Sequence, residues 1–170
     1  MCNIRNGLLG LVLIFGFISC SNKPNSDEQV VVKTSKVVNF DNKIAFNDLL
    51  ALNLDSTYLN LLDPGYSNES EYKTIIKSWT DFHQKVSQFM EEESFKWEVT
   101  DSTISIVNRI YFDKNGNIDY YFFRVLTPSI TTEKRAKFEK VLQKFSENTK
   151  IGLSRESPFA QCGKTKYLNY

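Results

Sequence analysis

Residues 109–125 read RIYFDKNGNIDYYFFRV, and this stretch decides the fold. Before its turn, Ile104, Ile106, Ile110 and Phe112 fall on alternate positions, the period-two pattern of a strand with one apolar face. Asn115-Gly116 is the favoured pair for a two-residue type I′ turn, because both central positions need positive φ. Residues 118–126 (IDYYFFRVL) are dense in aromatic and branched side chains, as suits a strand that is apolar on both faces. The stretch predicts a β-hairpin whose second strand ends before Pro128.

Working outward, the strongest helix signal precedes the hairpin. Asn68 and Glu71 have the Asn-x-x-Glu form of a capping box. Tyr72, Ile75, Ile76, Trp79, Phe82, Val86, Phe89 and Met90 then recur at steps of three and four. That is a single apolar stripe, expected to pack on a sheet. His83 sits beside Phe82 at the edge of the stripe, where an edge-of-core histidine is expected. After the hairpin, Thr131 or Thr132 caps a second helix running to Lys150, with Phe138, Val141, Leu142 and Phe145 as its stripe. Residues 151–153 and 164–170 (KTKYLNY) predict one or two last strands. Upstream, residues 36–40 (KVVNF) predict a short strand. Residues 44–54 predict a short helix, with Phe46, Leu49 and Leu50 at helical spacing, and Asp63-Pro64-Gly65 predicts a turn. The fold class is α+β: a small antiparallel sheet with two main helices packed on one face, in the order α-β-β-α-β.

This order resembles the C-terminal domain of TonB-type energy transducers. The likeness is carried by Asp113-Lys114-Asn115-Gly116-Asn117, matching that family's D-x-x-G-x turn between two strands, and by Gly163-Lys164 ahead of a last strand. It implies the fold and the pairing of an edge strand with a partner peptide. The family's membrane-spanning helix and long Pro-rich spacer have no counterpart here, so energy transduction is not implied.

The amino-terminal segment has a separate reading. Residues 7–18 (GLLGLVLIFGFI) are an unbroken apolar run after Arg5. It falls short of the roughly 20 residues that span a bilayer, and it suits the core of a secretory signal. Phe17-Ile18-Ser19-Cys20 resembles the lipobox of bacterial lipoproteins, with Phe17 in place of the usual Leu. The resemblance implies cleavage before Cys20, a diacylglycerated thiol at Cys20 and an acylated new amino group. Residues 1–19 are then the signal peptide, 20–36 the lipidated cysteine with a flexible tether, and 37–170 one domain. The implied partner is a membrane, held through the acyl chains on Cys20. The implied location is the cell envelope, at the outer membrane, with either a periplasmic or a surface face. Val30-Val31-Val32 belong to the tether or begin an edge strand. Asp27 and Glu28 resemble surface-export signals of Bacteroidetes lipoproteins, or are part of a solvated linker. Asp55-Ser56-Thr57 and Asp101-Ser102-Thr103 resemble the O-glycosylation signal of that phylum.

Composition narrows the function classes. Of seven glycines, Gly7, Gly10 and Gly16 lie in the signal. Gly65, Gly116, Gly152 and Gly163 are too scattered for a phosphate-cradling loop. His83 is the single histidine of the chain, so neither H-E-x-x-H nor a His-rich zinc site can be assembled. Lys and Arg number 21 against 20 Asp and Glu. Loss of Arg5 with the signal leaves the mature chain formally neutral, which argues against nucleic acid as a partner. Of three cysteines, Cys2 leaves with the signal and Cys20 becomes a thioether. Cys162 remains as one free thiol, with no intramolecular disulfide. No cofactor signature is present. Asp113, Asn115 and Asn117 mimic the first ligands of a calcium loop, but Ile118 and Arg124 occupy the positions that need Gly and Glu. A hairpin turn is therefore the better reading.

The candidate partner-binding residues are Tyr121, Phe123 and Tyr167, read as outward rings that line a shallow face for a peptide or glycan. Cys162 reads as a quiet strand cysteine; a reactive thiol paired with His83 is the alternative. The expected function is a lipid-anchored, non-catalytic binding or scaffold module that holds an envelope protein or glycan. The alternative is a thiol-dependent enzyme or redox protein using Cys162 with His83.

Overall fold

The hairpin forms the middle of a five-stranded sheet in the computed structural model, which describes residues 34–63, 65 and 68–169. The expected signal peptide, the expected lipidation site at Cys20 and the expected tether up to residue 33 lie outside the described residues, as do Pro64 and the valines at 30–32. The elements run β1 (Lys36–Asn39), α1 (Lys43–Leu50), a 3₁₀ turn (Leu54–Ser56), β2 (Leu59–Asn60), α2 (Glu69–Glu92), β3 (Thr103–Phe112), β4 (Ile118–Val125), α3 (Thr132–Asn148) and β5 (Phe159–Leu168). The class is α+β. Strand order across the sheet is β1-β4-β3-β5-β2.

The sheet is mixed rather than antiparallel. β3 pairs antiparallel with both β4 and β5, but β1 joins β4 in parallel and β2 joins β5 in parallel. The reason is connectivity. β1 reaches the outside of β4 through the long α1–α2 excursion, and parallel pairing needs such a crossover rather than a tight turn. β2, a two-residue strand that no sequence period marks, is set by its neighbours.

The hairpin loop also differs from expectation. Gly116 alone has positive φ, at 83°. The Gly116 N–H bonds the Asp113 carbonyl at 3.0 Å, and the Asp113 N–H bonds the Asn117 carbonyl at 2.9 Å. This is a three-residue loop, a type I turn followed by a left-handed glycine. The Asp113 carboxylate accepts from the backbone N–H groups of Asn115 and Asn117, both at 2.9 Å. That side-chain capping favours the type I start over the type I′ pair.

α2 and α3 cover one face of the sheet, and their caps are those expected. Asn68 accepts from the Glu71 N–H at 2.9 Å, and Thr131 from the Lys134 N–H at 3.2 Å. Ile75, Trp79, Phe82, Val86 and Met90 of α2 and Phe138, Leu142 and Phe145 of α3 pack on Ile104, Ile106, Ile110, Phe112 and Ile118. Full burial of each such side chain stabilises by about 1.5–3 kcal/mol. Ile76, counted in the stripe, stands 40% exposed. α1 lies on the opposite face, where Ala45 and Phe46 cover Val38, Phe40 and Phe122. Among the described residues no helix is long and apolar enough to cross a membrane.

Candidate functional site

The expected aromatic face is not there. Tyr121 and Phe123 are fully buried and Tyr167 is 3% exposed; all three belong to the core beneath α2 and α3. The register shift of the β3–β4 ladder beside Tyr111 and Phe112 inserts an extra residue into β4. Ile118 and Tyr121 then share a face, so Tyr121 and Phe123 point inward. Their neighbours Tyr120 and Phe122 point to the other face, but Phe40 and Phe46 cover Phe122 there.

Tyr167 instead anchors a buried hydrogen-bond cluster. Its hydroxyl lies 2.5 Å from Nδ1 of His83 and also meets the hydroxyls of Thr165 and Tyr121. Tyr121 donates to Oδ1 of Asn108 at 3.1 Å, and Nδ2 of Asn108 donates to the Thr165 hydroxyl at 2.8 Å. Burial pushes the phenols of Tyr121 and Tyr167 upward. It also drives His83 down to about 3, so the imidazole is neutral. Edge contacts with Trp79 and Phe82 fix the ring.

His83 and Cys162 are not brought together. On β5, Phe159, Gln161, Gly163 and Tyr167 face α2, which carries His83. Cys162 shares the opposite face with Ala160. Its neighbours are Arg109 and Asp55, and burial raises its thiol pKa. A strand's alternation therefore separates the thiol from the imidazole by the thickness of the sheet. Asp55 in turn forms an ion pair with Arg109 and accepts from the Tyr111 hydroxyl at 2.9 Å, which ties the 3₁₀ turn to this face. Among the described residues no group of His, Cys, Asp or Glu is placed to hold a metal ion.

What the fold leaves open is the outer edge of β5. In the β3–β5 ladder the odd-numbered residues of β5 bond to β3, and the even-numbered ones point their N–H and C=O away from it. β2 covers only the start of this edge: the Leu61 N–H bonds the Ala160 carbonyl at 2.9 Å, and the Cys162 N–H bonds Oδ1 of Asn60 at 3.2 Å. Beyond them, the outward backbone groups of Lys164, Lys166 and Leu168 make no hydrogen bond to any described residue.

A trough runs between this edge and α2. One cavity of about 240 Å³ is lined by Trp79, His83, Gln84 and Ser87 of α2 with Lys166 and Tyr167 of β5. A second of about 380 Å³ continues it past Met90, Phe95, Trp97 and Leu168, sharing Gln84, Ser87 and Lys166. Two buried ring nitrogens behind its walls, Nε2 of His83 and Nε1 of Trp97, make no hydrogen bond to a described residue. Gly163 lets α2 approach β5: a Cβ there would stand 3.1 Å from the Trp79 ring. Of the trough residues, the sequence places Trp79 and Met90 on the α2 stripe and His83 at its edge, where they are found, and Tyr167 on an outward face, where it is not; Lys166, Gln84 and Trp97 have no expected role. The signal that could have found the site is the alternation of lysines in KTKYLNY, a pattern typical of exposed strand edges.

No protein-family model matches this chain, and neither a curated protein nor a solved structure matches it. The likeness to the energy-transducer domain accordingly rests on the order of elements and the turn residues alone.

Proposed function

We propose that this chain is a non-catalytic binding module of the cell envelope, anchored through lipid on Cys20, which holds an extended segment of an envelope partner along the outer edge of β5. One observation carries the binding half of the reading: the backbone of Lys164, Lys166 and Leu168, which pairs with no described residue, flanked by a trough on the α2 side. A free sheet edge beside a helix suits addition of a further strand, in which main-chain hydrogen bonds supply affinity and alternate side chains enter pockets. The lipobox-like Phe17-Ile18-Ser19-Cys20 carries the anchoring half. Two acyl chains hold a protein firmly where one binds only marginally.

The edge is tested with Lys166→Pro. The N–H lost at this position has no partner among the described residues, so the fold is preserved while an added strand is blocked. Full-length protein is used to capture partners from envelope extract, with circular dichroism as the folding control. The reading expects capture to be lost in the folded variant, and hydrogen exchange at residues 164–168 to slow in the captured complex. Capture unchanged by Lys166→Pro overturns it. The anchor is tested separately: Cys20→Ser is expected to move the protein from membranes to the soluble fraction, and retention on membranes overturns the lipid assignment.

A further inference from the structure

We infer that the segment added to β5 is an acidic one, an extended peptide with Asp or Glu at alternate positions and apolar side chains between them. The inference rests on the strand-addition reading and names its ligand class.

The charge at the edge is one-sided. Lys164 and Lys166 project from β5 on the face away from α2, because Tyr167 and Gly163 point toward the helix. Lys96 lines the trough from the other end. None of the three lysines makes an ion pair with a described residue. Some exposed cations of this domain are ion-paired, Lys73 with Glu69, Lys77 with Asp81, and Arg124 and Arg135 with Asp41, while others, such as Lys36, Lys85 and Lys114, share with the edge lysines the lack of an ion pair to a described residue. Glu91 is the one acidic residue lining the trough.

Alternation then dictates the ligand pattern. In a strand laid against β5, every second side chain falls beside Lys164 and Lys166, and the intervening ones turn toward α2. Those intervening side chains meet a mixed wall, in which Trp79, Met90, Phe95 and Trp97 lie beside Gln84, Ser87 and Gln88.

The same charges argue against a second copy of this chain as the occupant. Pairing β5 with β5 of another copy would bring Lys164 and Lys166 of both strands onto one face. Like charges across a ladder are unfavourable, and edge lysines are a common defence against such pairing.

The test uses the full chain in detergent and two blocked synthetic peptides, Ac-EVEVEVE-amide and Ac-KVKVKVK-amide, titrated calorimetrically. The acidic peptide is expected to bind and the basic one not. Affinity for the acidic peptide is expected to weaken with salt and to fall about tenfold in the Lys164→Glu, Lys166→Glu double variant. In that variant the basic peptide is expected to gain. Lys166→Pro is expected to abolish binding of either peptide. If both peptides bind equally and Lys166→Pro abolishes both, the edge reading stands and the acidic preference is overturned. If neither peptide binds, the acidic-ligand inference is overturned, and the capture experiment above decides the edge reading on its own. Binding of the acidic peptide that survives Lys166→Pro overturns both. Concentration-dependent dimerisation by sedimentation, lost in Lys166→Pro, would assign the edge to a second copy and overturn the acidic partner.

Discussion

Nδ1 of His83 on α2 and the hydroxyl of Tyr167 on β5 are 2.5 Å apart, with both side chains buried in the helix–sheet interface. The pair fastens the long helix to the last strand, directly behind the open edge. It also makes the fold sensitive to acid. His83 is held to about 3 by burial, against an ordinary 6.5. Between those values the unfolded chain takes up a proton that the folded chain refuses, so stability falls as pH falls through that window and is insensitive to this residue above it. The slope is about 1.4 kcal/mol per pH unit. Urea unfolding at pH 7 and pH 4.5 should show a loss about 2 kcal/mol larger for the wild type than for His83→Gln, since the other titrating groups are common to both. Equal losses would mean that the imidazole is protonated in the fold.

Tyr167→Phe removes the hydroxyl on which His83, Thr165 and Tyr121 converge. Buried polar groups that lose a partner cost about 1–3 kcal/mol. Chemical denaturation should therefore place this variant well below the wild type. A double cycle with Asn108→Ala, which removes the partner of Tyr121, should be non-additive, because the five groups form one network.

Phe123→Ala separates the core role of this ring from a binding role. The side chain is fully buried and edge-on to Phe138 at 5.2 Å. Truncation should cost about 3–5 kcal/mol, seen as a large drop in melting temperature. A stable variant that lost partner capture would instead restore the outward aromatic face.

Gly116 and Gly152 should respond in opposite ways to alanine. Gly116 has φ of 83°, and a Cβ there would stand 2.6 Å from the Leu153 carbonyl oxygen and 2.8 Å from that of Ile151. The residue 151–155 segment is strapped to the turn, with the Ile151 N–H bonded to the Gly116 carbonyl at 3.0 Å and the Arg155 N–H to the Lys114 carbonyl at 2.9 Å. Gly116→Ala should destabilise by more than about 1 kcal/mol. A Cβ on Gly152 meets nothing within 4 Å, so Gly152→Ala should stay within about 0.5 kcal/mol of wild type in thermal melts.

Cys162 should be slow to label. It is half-buried, and desolvation raises its thiol pKa, which reduces the thiolate that reacts. A maleimide at neutral pH should modify the folded protein at least about tenfold more slowly than the urea-unfolded chain. Equal rates would return Cys162 to the list of reactive groups.

Local chemistry was enough to place much of this molecule. The Asn68 and Thr131 caps, the stripes of α2 and α3, the two strands about Asp113-Gly116 and the α+β class are all written in neighbours three, four or two residues apart. Those patterns depend on backbone geometry that each segment carries by itself. Tertiary packing decided the rest. The two-residue β2 exists because β5 offers it a ladder, and β1 is parallel because its crossover places it on the far side of β4. The inward phase of Tyr121 and Phe123 hangs on one inserted residue in β4, which reverses a face without altering the apolar count. The separation of His83 from Cys162 follows from opposite sides of one strand. The open edge at Lys164, Lys166 and Leu168 arises where β2 stops. A strand's period shows which residues share a face; which edge stays unpaired depends on contacts between segments far apart in the chain.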